Sequence, residues 1–154
     1  MDFGGRYRFA TPREAVWRAL NDTSILKACI PGCTSMEWSG PDTLDLEVEV
    51  QLGPIKPKFK GELRLSDVVP AERYTLSGRG KGGMLGLAQA SADIALSDAE
   101  GGCELTFTAS GGASGRIMQV GKALIGERAQ AIIDGFFVHF GEVMGTTVIP
   151  LARQ

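Results

Sequence analysis

The chain has one histidine, His139, and three cysteines, Cys29, Cys33 and Cys103, among 154 residues. A zinc site needs about four Cys or His ligands at suitable spacing, so the Cys29/Cys33 pair has nothing to complete it. An odd number of cysteines, with no signal sequence visible after Met1, points to free thiols in a reduced, cytoplasmic protein. No apolar run approaches the roughly eighteen residues of a membrane-spanning helix. The sixteen basic residues are spread thinly against eighteen acidic ones, for a net charge of −2. That distribution argues against a nucleic-acid-binding domain of the basic-patch kind. No Ser, Cys or Asp signature points to His139 as a catalytic base. The run Gly78-Arg79-Gly80-Lys81-Gly82-Gly83 is glycine-rich like a phosphate cradle. It has neither the Walker spacing nor the following Ser or Thr, and it leads from strand to strand. It is expected to be a flexible hairpin loop, or a docking loop with Arg79 and Lys81 exposed and Met84 and Leu85 as its apolar tip.

What is present is ordinary globular composition, 44% hydrophobic and 22% charged, at the length of one domain. The longest segment that reads as one element runs over residues 115–145. Met118, Gly121, Ile125, Ala129, Ile132, Phe136, Phe140 and Val143 recur there at three- and four-residue steps, which places them on one helical face. A rod of about 45 Å results, and it needs a surface to pack against.

Toward the N-terminus, Tyr7 and Phe9 alternate with Arg6 and Arg8 as in a short strand. Thr11, Pro12 and Glu14 then have the pattern of a capping box, opening a helix over residues 12–20. Asp22 or Thr23 caps a second short helix over 24–29, which Pro31-Gly32 ends. From Met36 to about Ser110 the period is two. Leu44, Leu46, Val48, Val50 and Leu52 alternate with acidic and polar residues, and Phe59, Gly61, Leu63 and Leu65 with mostly basic ones. Antiparallel pairing would set Glu47 and Glu49 against Lys58, Lys60 or Arg64. Further strands are expected at Tyr74–Leu76, Ala88–Leu96 and Cys103–Ala109. About seven strands result. An α+β helix-grip fold is expected, a curved antiparallel sheet wrapped around one long C-terminal helix, with two short helices after the first strand. Residues 1–145 form the domain and 146–154 a tail.

Some inward positions carry little side-chain volume: Gly61, Ala88, Ala90 and Ala92 on strands, and Gly121, Gly126, Gly135 and Gly141 on the helix. Each mid-helix glycine costs about 1 kcal/mol relative to alanine. Two explanations stand side by side, close helix-to-sheet packing or an apolar cavity between sheet and helix. The candidate lining is Val48, Leu63, Ala88, Ala90, Ala92, Phe107, Ile132, Phe136 and Phe140. His139 is expected at a structural or rim position, or as a polar contact to a ligand. An enzymatic alternative of the cyclase or hydratase kind would pair His139 with Asp93 as acid and base in one cavity.

Several strings carry a family resemblance: PREAVWRALND at 12–22, LKACIPGC at 26–33, VQLGPIKPKFKGEL at 50–63, LSGRGKGG at 76–83 and AQAIIDGFFVHFGE at 129–142. Together they resemble the carbon monoxide dehydrogenase G-subunit family, within the START and Bet v 1-like superfamily. The resemblance implies a non-catalytic accessory protein with no resident cofactor, associated with a molybdenum hydroxylase of the carbon monoxide dehydrogenase type. It implies roles in maturation, membrane recruitment or carriage of a lipid-like molecule such as a quinone. Many relatives continue into a membrane-binding C-terminal segment. This sequence stops soon after the helix, so any membrane contact is expected to be peripheral, at the inner face.

Overall fold

The computed structural model describes residues 2–51, 53–83 and 86–151. Leu52, Met84 and Leu85 lie outside the described residues, and with them the apolar tip expected of the docking loop. Alternating residues build one antiparallel sheet from β1 (Asp2–Phe9), β2 (Cys33–Trp38), β3 (Thr43–Glu49), β4 (Lys58–Val69), β5 (Arg73–Lys81), β6 (Leu87–Ala99), β7 (Gly102–Ser114) and β8 (Val148–Leu151). Their order across the sheet is β2-β3-β4-β5-β6-β7-β1-β8. Three helices, α1 (Arg13–Leu20), α2 (Thr23–Cys29) and α3 (Lys122–Met144), complete the helix-grip fold expected from the sequence, with α3 packed into the sheet.

The charged faces of β3 and β4 meet as their signs require. Glu47 is in register with Lys60 and Glu49 with Lys58, and Lys60 Nζ lies 3.3 Å from Glu47 Oε1. At α2, Asp22 is the N-cap and accepts hydrogen bonds from the backbone N–H groups of Ser24 and Ile25.

Four local expectations are corrected. The N-cap of α1 is Pro12, without a side-chain cap, because the Thr11 hydroxyl is engaged elsewhere: it donates to Thr146 Oγ1 at 2.7 Å. The stretch 115–145 is two elements, a 3-10 helix at Arg116–Val120 and α3, divided at Gly121. Gly121 has φ +94°, a conformation that a residue with a Cβ rarely adopts, so the break is fixed by the backbone. It is therefore not a mid-helix glycine. Residues 78–81 belong to β5, and the chain leaves the strand only after Lys81. The eighth strand comes from the stretch read as a tail. Val148–Leu151 pairs antiparallel with β1, Pro150 opposite Tyr7. Four residues are too few to show alternation, and the outermost strand tolerates a proline.

The packed interior sits toward α1 and α2. Phe9, Val16, Cys29, Cys103, Leu105 and Phe140 are fully enclosed. Phe140 meets Phe9 edge-on with centroids 5.9 Å apart, and Trp17 of α1 meets Tyr74 edge-on at 5.2 Å. Burial pushes the Tyr74 phenol well above its usual range. Arg13 at the start of α1 ties the turns at that end together. Its Nε lies 3.1 Å from Asp98 Oδ1, and a guanidinium nitrogen donates to the Ala71 carbonyl at 3.2 Å.

Candidate functional site

The register places the inward-facing residues of β3 to β7 in rungs across the sheet, and the rungs change in size from one end to the other. Leu65, Leu76, Ala92 and Ala109 form one rung, next to which Tyr74, Ile94 and Phe107 form a bulkier one. In the opposite direction the side chains vanish. Leu63, Gly78, Ala90 and Gly111 stand in line, then Gly61, Gly80, Ala88 and Ala113. Apart from Leu63, these two adjacent rungs are glycine and alanine, and they leave the sheet almost bare on the face toward α3.

The space above them is not filled. A cavity of about 330 Å³ lies between this floor and the N-terminal half of α3. Ile125, Arg128, Ala129 and Ile132 border it from the helix, Ile117 from the 3-10 helix, and Leu46, Val48, Val50 and Phe59 from β3, β4 and the segment between them. That volume lies at the small end of the about 300–1,000 Å³ found for sites that enclose small molecules. Ala90 shows how open the space is, since it faces inward and is still exposed.

Two of the floor glycines face backbone oxygens: a Cβ on Gly61 would come 3.0 Å from the Arg79 carbonyl oxygen and one on Gly111 2.9 Å from the Gln89 carbonyl oxygen, whereas at Gly78 the close neighbour, 2.7 Å away, is the movable end of the Leu63 side chain. Gly135 and Gly141 of α3 serve packing instead. A Cβ at Gly141 would lie 2.5 Å from Val148 Cγ2, and one at Gly135 would lie 3.4 Å from Pro31 Cγ. Close packing and an apolar cavity thus both occur, at different ends of the helix.

Of the residues expected to line the cavity, Val48, Leu63, Ala88, Ala90 and Ile132 do so. Ala92, Phe107, Phe136 and Phe140 do not: they belong to the packed end. Phe107 and Phe140 are buried, and Phe136 stacks on Phe140 with centroids 5.4 Å apart. The aromatic half of α3 meets the large residues, Phe137 against Phe107 and Phe140 against Phe9, and its aliphatic half lies over the small rungs. Gly78, Gly80, Gly111 and Ala113 join the lining without having been expected there. Their signal in the sequence is the unbroken alternation Tyr74, Leu76, Gly78, Gly80, hidden by a composition that reads as turn.

The remaining candidates are dispersed. His139 is exposed on α3. Asp93 is on the outer face of β6, where it accepts a hydrogen bond from the Thr75 hydroxyl at 2.8 Å. The two do not converge, so the acid and base pair considered for a cyclase or hydratase is not assembled. Arg79 and Lys81 are exposed at outward positions of β5. Cys29, Cys33 and Cys103 are free thiols. Among the described residues no three His, Cys, Asp or Glu side chains are gathered to hold a metal ion, and no helix is long and apolar enough to cross a membrane.

Known structures share this architecture. A conserved protein from Geobacillus kaustophilus superposes with a TM-score of 0.84 at 28% identity, over 96% of this chain and 99% of that one. Protein CV1439 from Chromobacterium violaceum gives 0.71 at 16% identity, over 93% and 96% of the two chains. Ara h 8.0201, of the Bet v 1-like fold, gives 0.62 at 16% identity, over 94% and 99%. The last two likenesses establish the fold alone. No curated protein matches the chain at a significant level. The model of CoxG, the carbon monoxide dehydrogenase G-subunit family, matches residues 5–145, nearly the whole of the described fold, and the chain belongs to that family.

Proposed function

We propose that the protein is an accessory carrier that holds a hydrophobic small molecule, lipid-like or quinone-like, in the cavity under α3 and presents it to a molybdenum hydroxylase of the carbon monoxide dehydrogenase type. The observation that carries this reading is the pair of small rungs, Leu63-Gly78-Ala90-Gly111 and Gly61-Gly80-Ala88-Ala113. A sheet selected for stability alone would fill that face, because each buried methylene contributes about 0.8 kcal/mol. Forgoing it at so many adjacent positions is consistent with a ligand that supplies the missing apolar surface. Membership of the CoxG family supports an accessory role, since the family is not a known catalytic one. The carrier would act in the cytoplasm, with peripheral contact at the inner membrane face.

The test is native mass spectrometry and solvent extraction of the purified protein, together with titration of an apolar environment-sensitive fluorophore. A copurifying apolar molecule, or fluorophore binding that Ala90→Phe abolishes, is expected. Binding unaffected by Ala90→Phe in a folded variant would refute the cavity as the site. Association with the enzyme is tested separately, by capture of a purified molybdenum hydroxylase on the immobilised carrier.

A further inference from the structure

The cavity accounts for the apolar body of a ligand; its exposed end has a separate determinant. The lining at the mouth runs out into a shallow depression bordered by Pro31, Gly32, Glu49 and Gln51, and Val50, Arg128 and Ile132 border both spaces. Arg128 is exposed and, among the described residues, forms no hydrogen bond or ion pair. The other charged residues along the cavity, Glu62 and Arg79, alternate with inward Leu63 and Gly78. Their side chains therefore belong to the outer face of the sheet, and the floor receives only their backbone. Arg128 is thus the cation on the cavity side, placed where apolar wall gives way to solvent.

We infer that Arg128 binds the head of a carboxylate amphiphile whose apolar tail occupies the cavity, an inference that rests on reading the cavity as a ligand site. A guanidinium presents two parallel N–H donors that match a carboxylate, and its weak hydration suits a half-apolar setting. Glu49 borders the same depression only with its backbone, since it alternates with inward Val48 and lies opposite Lys58 on the outer face. The small volume agrees, since about 330 Å³ takes one slender tail and leaves the head outside.

The experiment compares laurate with dodecanol, of equal chain length and no charge, on the full chain by calorimetry below their aggregation concentrations. Laurate is expected to bind about tenfold more tightly, the worth of one charged hydrogen-bonded contact at a wet site. The preference should shrink as salt rises, collapse in Arg128→Leu and survive in part in Arg128→Lys. An equal laurate-to-dodecanol ratio in wild type and Arg128→Leu, with both ligands still excluded by Ala90→Phe, would overturn the head-group inference and leave the cavity reading standing. Failure of the wild type to bind either amphiphile would overturn both.

Discussion

The ring of Phe137 lies against that of Tyr7, with centroids 4.0 Å apart and planes 21° from parallel. This stack joins the middle of α3 to β1 and separates two interiors. On one side are Phe9, Phe140 and Leu105, packed to exclusion of solvent; on the other are the glycine and alanine rungs and the open space above them. The two ends of one helix therefore answer to different demands, and substitutions along it should separate stability from binding.

Phe140→Ala removes a side chain with 0% exposure and is expected to cost about 3–5 kcal/mol. Ile132→Ala, on the cavity wall, should cost about 1 kcal/mol, since one side of Ile132 already faces open space. Urea denaturation of the two variants measures the contrast. Equal losses would mean that the cavity is closed and packed in solution.

Helix glycines are expected to differ in the same way. Alanine normally gains about 1 kcal/mol over glycine inside a helix. Gly135→Ala should keep part of that gain, because its new methyl meets Pro31 at a tight but tolerable 3.4 Å. Gly141→Ala should instead lose about 1–3 kcal/mol, its methyl driven into Val148. A higher thermal midpoint for Gly141→Ala would show that β8 separates from α3 at little cost.

Asp22 supplies a pH signature. The Ser24 hydroxyl and the Ile25 backbone N–H hold its carboxyl below the ordinary 3.8. A carboxylate with a depressed folded-state pKa stabilises the fold above its unfolded-state pKa and loses that contribution as pH falls through the folded-state value. Asp22→Ala should therefore be less stable than wild type at neutral pH, with the difference fading below about pH 4. A difference that stays constant down to about pH 2 would remove the cap as its cause.

The thiols should react in a fixed order. Cys29 and Cys103 are enclosed, whereas Cys33 is partly accessible. Burial pushes Cys103 up to about 11 and raises Cys29 and Cys33 as well. A thiol-specific reagent at about pH 8 should label Cys33 first, slowly, and the other two only on unfolding. Because the folded form keeps its Cys103 proton longer, stability should fall as pH rises from about 9 to about 11. Prompt labelling of all three thiols in the native protein would contradict this arrangement.

Much of the fold can be read from local pattern. Alternation at Leu44 to Val48 and the opposite charges of Glu47 and Lys60 identify a strand pair and its partners, because both signals act over a few residues. The helix break does not show, since a 3-10 turn and an α-helix place apolar residues alike over a span as short as Arg116–Val120. The cavity is legible only in part. Ala88 and Ala90 announce themselves as small inward residues, but their counterparts Gly80, Gly78 and Gly111 come from strands that only the register brings beside them. The aromatic residues Phe136 and Phe140 mislead for the same reason. Which end of α3 meets which rung is a long-range relationship that spacing along the helix does not contain.

The floor of the cavity divides into positions that are locked and positions that are free. Gly61 and Gly111 are held small by the Arg79 and Gln89 carbonyls, whereas Gly78 meets only the movable end of Leu63 and a methyl at Gly80 would sit an ordinary 3.6 Å from Phe59. Ala88, Ala90 and Ala113 already point their Cβ atoms into open space. A single codon change at any of those free positions would shorten or reshape the chamber without disturbing the backbone that frames it. In this scaffold, the size of the cavity is open to evolutionary adjustment one methyl group at a time, and independently of the aromatic end that keeps the protein folded.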